Sequence, residues 1–345
     1  MSSKLEKNVA WEQSIRGFLY KQLWVSPKPI PSTVSLAGKT AIITGANGGL
    51  GFEAGAQLLQ LGLSRLIMAV RSQAKGDAAA EKLKGRFPDA EINVSILDMA
   101  DYDSIVAFTK RCRDLDRIDY AILNAGLQSA TFERNEKTGH EAMFQVNYLS
   151  NVFLLLLLES TMKDKRLHNN ASEPPVISVI GSDTMYFSKL GAVGPIFPRM
   201  DDLKSFGKLP HYADSKMLLM MFISRLAEQT NPDDVIINVP NPGMTAGTSL
   251  GQEEKPGFAA RRIFPLVAKL LGRSVPTGAS VYVHALLIEG RESHGSFVSE
   301  WAIKPYAGIL YKKEGREMAE RLWQETMEEL RFASNLGIDI VRVPQ

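Results

Sequence analysis

Thr44-Gly45-Ala46-Asn47-Gly48-Gly49-Leu50-Gly51 joins two different patterns. Ahead of it, Thr40–Thr44 is a short β-branched run, and within it begins an apolar periodicity of three and four residues that continues to Leu61. A strand that turns through glycines into a helix suits one task in particular. Glycines let the backbone turn sharply and approach a pyrophosphate, whose charge then meets the unpaired N–H groups and positive dipole end of the helix. Three glycines before a helix also make an ordinary tight turn; the strand context and the spacing favour the phosphate reading. Gly45, Asn47, Gly49, Leu50 and Gly51 are therefore expected to contact a dinucleotide.

Along the rest of the chain, short β-branched runs alternate with helical patterns, the sequence form of a parallel sheet covered on both faces. Expected strands are Thr40–Thr44, Arg65–Val70, Glu91–Leu97, Tyr120–Asn124, Val176–Ile180, Val235–Val239 and Ser296–Val298. Expected helices are Gly49–Leu61, Ala74–Arg86, Asp101–Arg113, His140–Met162, His211–Glu228, Thr277–Leu287 and a closing Lys313–Leu330. The fold class is α/β, a doubly wound parallel sheet of the Rossmann type. One domain over residues 38–345 accounts for the pattern, with residues 1–37 as an extension. In that extension an amphipathic piece from Trp11 to Trp24, ended by Pro27, Pro29 and Pro31, could pack on the domain or on a partner. Residues 183–211 and 245–275 are irregular, rich in glycine, proline and apolar residues, and read as substrate-loop segments, a mobile cover.

Composition narrows the function classes. Forty basic and 38 acidic residues leave a net charge of +2, so no broad field favours nucleic acid. The lone Cys112 and the lack of any Cys/His cluster with zinc spacing point away from a metal and toward a reducing, cytoplasmic compartment. Met1 to Ala10 does not read as a secretory signal, and the apolar run Phe153–Leu158 is too short to span a bilayer, so it reads as a buried helix segment.

Tyr212-Ala213-Asp214-Ser215-Lys216 opens a helix, and a spacing of four places phenol and ammonium on one face. Hydride addition to a carbonyl builds negative charge on oxygen and needs a proton donor in place. A free tyrosine titrates near ~10, so a neighbouring cation is needed to favour its ionised form. Lys216 is placed to do this. A surface Tyr/Lys pair is the ordinary alternative, and the glycine loop is what tells against it.

The pattern Thr-Gly-x-x-x-Gly-x-Gly, with this Tyr-x-x-x-Lys, resembles the short-chain dehydrogenase/reductase family, and the likeness runs along most of the chain. Asp98-Met99 after the third strand resembles the pair whose carboxylate meets the adenine amino group. Asn124-Ala125-Gly126 resembles the turn that contacts the adenosine ribose. Ser182 matches the serine that hydrogen-bonds the substrate oxygen, with Gly181 where a serine is usual; Ser178, in mid-strand, is its competitor. Asn147 matches the asparagine that holds a water against the lysine and completes a proton relay. Pro242-Gly243 resembles the turn that meets the nicotinamide, but Met244 to Ser249 depart from the family pattern, which leaves the contact open between Thr245 and Thr248. The resemblance thus implies a catalytic group of Asn147, Ser182, Tyr212 and Lys216. It also implies association through the helices after strands four and five, with 140–162 as a homodimer face.

At the end of the second strand, where an acid would bind a free ribose 2′-hydroxyl, stands Arg71. Its guanidinium can fork onto a 2′-phosphate, which argues for NADPH/NADP+. Met185, Tyr186, Phe187, Ile196, Phe197, Phe206, Leu250 and Phe258 either line a pocket for a bulky apolar ketone, aldehyde or alcohol, or pack the irregular segments onto the sheet. The extended start, the long middle loop and Leu322–Thr326 are similar to retinol-dehydrogenase-like reductases, especially fungal ones of secondary metabolism. A competing reading is a non-redox cyclase, isomerase or regulator that binds NADP on the same fold. The proton relay argues against it.

Overall fold

The computed structural model describes residues 1–169, 171–247 and 272–335. Its centre is an eight-stranded sheet of order β3-β2-β1-β4-β5-β6-β7-β8. The strands are β1 (Thr40–Thr44), β2 (Arg65–Val70), β3 (Glu91–Ile96), β4 (Tyr120–Leu123), β5 (Val176–Val179), β6 (Ile236–Asn241), β7 (Phe297–Ser299) and β8 (Ala302–Lys304). All neighbours pair in parallel except β7 with β8. This is the doubly wound Rossmann arrangement. β1 and β5 are buried at every position, as strands covered on both faces must be.

Strand periodicity divides the core. Ala41 and Ile43 face one apolar layer, which is completed by the helices α2 (Gly49–Gln60), α3 (Gln73–Lys84) and α7 (Val275–Leu287). Ile42 faces the other, built from α4 (Tyr102–Arg113), the helical run α5 (Ala142–His168), α6 (Lys208–Ala227) and α8 (Lys313–Glu329). α5 is long and apolar enough to cross a membrane, yet 83% of its apolar window lies inside the protein. It is a core helix.

Four features differ from expectation. β8 is three residues long and half-buried, below what an alternating pattern can reveal. α6 starts at Lys208 rather than His211, because Pro210 falls in the first turn, where no intrahelical N–H bond is required. α5 is not uniform: after Ala142–Phe144 it widens to a π turn over Gln145–Leu149 and returns to α-helix from Ser150. The fourth concerns the cover of α5. The chain's own C-terminal segment packs on part of 140–162, the run expected to offer a homodimer face. Tyr148 Oη lies 2.6 Å from Thr326 Oγ1, Phe332 packs against Phe153, and Trp323 stacks on Phe222 of α6.

The N-terminal segment packs on the domain. Ser2 is buried at the start of β7, donating from its N to Ser296 Oγ at 3.0 Å and accepting at its own Oγ from Phe297 N at 2.9 Å. Helix α1 (Ile15–Trp24), capped by Ser14, continues toward the turn after β6.

The excursion over 183–211 packs on the domain. Met185, Tyr186, Ile196 and Phe197 belong to the core, while Phe187 is exposed and Phe206 half-buried. Those four core residues pack the segment onto the sheet and do not line an open pocket. Glu325 of α8 accepts from the N–H groups of Ile196 and Phe197, and Tyr186 Oη donates to Pro305 O at 2.7 Å. His140 ties three segments together, contacting Asp201 at 2.7 Å and Glu329 at 3.3 Å. Most of the second irregular segment, with Thr248, Leu250 and Phe258, lies outside the described residues.

Candidate active site

The phosphate loop leaves β1 through Gly45, whose φ of +65° and bond from its N to Ala69 O bend the chain across β2. Gly49 also has positive φ, +54°, and a Cβ there or at Gly48 would point into open space. Gly51 is required for a different reason. A Cβ on it would sit 2.6 Å from Asn124 Nδ2 and 2.7 Å from Gly45 O, so only glycine lets α2 approach the loop. No side chain caps α2, which leaves its first N–H groups for an anion, so these residues fit a bound pyrophosphate.

Asn124 reaches back to this loop, donating to Thr44 O at 3.0 Å, and Ala125 N donates to Thr44 Oγ1 at 2.8 Å. Gly126 lies beside the catalytic candidates, since a Cβ on it would be 3.3 Å from Asn147 Oδ1 and 3.9 Å from Lys216 Nζ. Asp98 spends one oxygen on its own turn, accepting from Ala100 N at 2.9 Å. The Met99 side chain is 6% exposed and packs in the core. Arg71 is exposed at the end of β2, just ahead of Ser72, the cap of α3. Leu50 and Thr245 converge on Gly278 of α7, where a Cβ would lie 2.6 Å from Thr245 Oγ1 and 2.9 Å from Leu50 Cδ2. A glycine inside a helix costs about 1 kcal/mol relative to alanine, and that cost was the available signal for this close approach.

The proton-transfer candidates gather where β4, β5 and β6 end. Ser182 follows β5 and caps a short turn, accepting from Thr184 N at 3.2 Å and Thr184 Oγ1 at 2.9 Å. Its competitor Ser178 is buried in mid-strand and donates to Asn238 Oδ1 at 2.7 Å, a structural bond. Tyr212 is buried in the first turns of α6, preceded by His211, whose Nε2 lies 2.8 Å from Glu141 in a fully buried pair. Burial pushes the Tyr212 phenol up to about 12, against the pull of the Ser182 hydroxyl. Lys216 lies one turn on, 5.7 Å from the Tyr212 ring, and donates to Ile180 O at 2.8 Å. Burial alone brings its ammonium down to about 8. In this site burial drives both groups toward neutrality. Asn147 sits in the π turn of α5, accepting from Leu127 N at 2.7 Å and donating to Leu127 O at 2.8 Å and Ser215 Oγ at 3.2 Å. It ties the strand-four turn to the catalytic helix.

A family described as short chain dehydrogenase matches residues 39–171. The chain is 48% identical over 346 residues to the short chain dehydrogenase virL of Hypocrea virens, covering 99% of this chain and all of that one. It is 41% identical to the short chain dehydrogenase/reductase mfmJ of Annulohypoxylon moriforme, over 93% of each. Among solved structures it resembles L-sorbose reductase of Gluconobacter frateurii complexed with NADPH and L-sorbose, with a TM-score of 0.58 at 19% identity, over 77% of this chain and 96% of that one. The chain belongs to the short-chain dehydrogenase/reductase family.

As a short-chain dehydrogenase/reductase it is an oxidoreductase that uses a nicotinamide cofactor. Its departures from the family pattern have structural explanations. A Cβ at Gly181 would lie 2.5 Å from Val239 Cγ1, so the position usually held by a first serine is closed by β6 here. The turn Pro242–Thr245 is built around Gly243, φ +71°, and is braced by Arg273, which no motif marks because it sits in the second irregular segment. Asp183 was also missed. Burial holds its carboxyl above the usual range despite nearby Lys21 and Arg273, directly beside Ser182. A cleft bordered by Lys39, Asp119, Lys165 and Pro175 lies at the opposite, N-terminal ends of the strands, away from where this fold binds nucleotides.

Proposed function

We propose that this chain uses NADPH to reduce a hydrophobic ketone or aldehyde, or NADP+ to oxidise the corresponding secondary alcohol, in a fungal secondary-metabolite pathway. The observation that carries the reading is the convergence of Ser182, Tyr212, Lys216 and Asn147 beside the glycine loop at the C-terminal ends of β4 to β6. Gly45, Asn47, Gly49, Leu50 and Gly51 would hold the pyrophosphate, Asp98, Met99 (through its backbone), Asn124, Ala125 and Gly126 the adenosine, and Pro242, Gly243 and Thr245 the nicotinamide half. The bound nicotinamide supplies or accepts the hydride. Tyr212 is neutral at physiological pH, so its Oη holds the proton that the developing alkoxide needs. Ser182 faces Tyr212 and would hydrogen-bond the same oxygen, stabilising charge as it forms. Lys216 would touch the nicotinamide ribose and, with a water held by Asn147, return the proton to Tyr212.

The preference for NADPH rests on Arg71, exposed and without a competing acid at the end of β2. A charge-assisted hydrogen bond is worth ~1.5–3 kcal/mol, so Arg71→Ala should lower selectivity for NADPH by roughly one to two orders of magnitude. Arg71→Asp should go further by repelling the 2′-phosphate. The experiment is NADPH and NADH oxidation against a panel of hydrophobic ketones and aldehydes, with kcat/KM for native and variant proteins. No turnover despite cofactor binding would overturn the redox reading, and a ratio unmoved by either substitution would overturn the role of Arg71.

A further inference from the structure

We propose that the N-terminal segment works through Arg273 and Gln22 as a clamp on the turn Pro242–Thr245, so that Arg273 and Gln22 are positioning residues for the nicotinamide half of the cofactor. The inference rests on the proposed function only in taking that turn as the nicotinamide contact.

The turn leaves β6 beyond the ladder to β7, which ends at Asn241. Arg273 Nη1 donates to Pro242 O at 3.1 Å, and Gln22 Nε2 donates to Met244 O at 2.7 Å across 222 positions of sequence. The backbone of Arg273 adds two more bonds, from its N to Met244 O at 2.8 Å and from Ala246 N to its O at 3.0 Å. Gly243 is fitted to this clamp. A Cβ there would meet Arg273 Nη1 at 2.6 Å and Gln22 Oε1 at 3.2 Å.

The guanidinium is itself held, in part by the N-terminal segment. Its Nη2 donates to Lys21 O at 3.1 Å and to Glu300 Oε1 at 3.2 Å, and its plane lies over Trp301. Lys21 pairs with Glu12 at 2.8 Å, and Glu12 with Lys304 at 2.9 Å. Glu12, Lys21, Arg273 and Glu300 are each 6% exposed or less. Burying four charges is a poor way to gain stability, since apolar residues of the same volume serve as well or better. What apolar residues could not do is hydrogen-bond the turn's carbonyls in one geometry. Residues 12–22 therefore act on the turn and not merely on the fold.

The test uses the full chain with Gln22→Glu, which keeps size but replaces the donor, and Arg273→Lys, which keeps charge but loses the fork. Dissociation constants are measured for NADPH against adenosine 2′,5′-bisphosphate, and in parallel for NADH against ADP, along with Tm and hydrogen exchange of the cofactor-free protein. The expected result is a weakening of the dinucleotide by about fivefold for Gln22→Glu and about tenfold for Arg273→Lys, with the adenosine fragment unchanged. Exchange at the Ala246 amide should accelerate in both. Equal losses for dinucleotide and fragment, or no loss for either, would overturn the clamp. Should the native chain bind no dinucleotide, the proposed function fails, and exchange alone decides: faster exchange at Ala246 retains the clamp on the turn, and unchanged exchange removes it.

Discussion

Tyr212 and Lys216 illustrate how burial sets chemistry at the level of single side chains. With the phenol pushed up to about 12 and the ammonium down to about 8, Tyr212 keeps its proton at neutral pH. Tyr212→Phe should lower kcat by ~10²–10⁴ while leaving NADPH affinity within about twofold, because it removes a proton donor and leaves the phosphate loop intact. Near-normal turnover in a steady-state assay would show that another group is the acid. Lys216 also makes a stability prediction. Its folded value lies below the unfolded 10.5, so the cost of burying the ammonium is fully present below about pH 8 and is relieved as pH rises toward 10.5. Relative to Lys216→Met, the native protein should therefore gain ~2–3 kcal/mol between pH 7 and 10.5 in urea unfolding. A difference flat across that range would mean the ammonium carries no such cost.

Elements position these side chains through contacts between distant segments. The π turn of α5 sets Asn147 toward Leu127 and Ser215, a detour that helical periodicity does not encode because one extra residue leaves the apolar pattern on either side intact. The excursion over 183–211 depends on His140, which links Asp201 to Glu329. Burial opposes the charge on this imidazole, yet the two carboxylates hold it up at about 9. With the folded value above the unfolded 6.5, its contribution is fully present below pH 6.5 and is lost as pH rises through 9. His140→Gln should thus destabilise the protein by ~1–3 kcal/mol at pH 6 and much less at pH 9.5, measured as denaturant midpoints at both values. An equal loss at both would place the effect in packing against Phe144 and Phe197 rather than in charge.

In the molecule as a whole, α8 and the following Phe332 cover part of α5, which contains the expected homodimer face 140–162, and of α6. Tyr148, Phe153 and Phe222 are already buried against Thr326, Phe332 and Trp323. Light scattering of the full chain should accordingly return the mass of one chain, with no concentration dependence in the micromolar range. A dimer whose cross-links map to Ala142–His168 would overturn this.

The sheet was legible because its strands are short β-branched runs set between helices of period 3.6, and β1 and β2 match their expected bounds to the residue. The glycine loop and the Tyr212/Lys216 spacing were legible for a similar reason: each is local, so a few consecutive positions hold the whole geometric requirement. What only the tertiary structure decided is made of long-range contacts. Ser2 against β7, Gln22 against Met244, Glu325 against Ile196 and the cover of α5 by α8 all join residues more than a hundred positions apart. Sequence periodicity reports which face of an element is apolar, and not which distant segment will cover it, so the partners of those faces emerge only when the chain is folded.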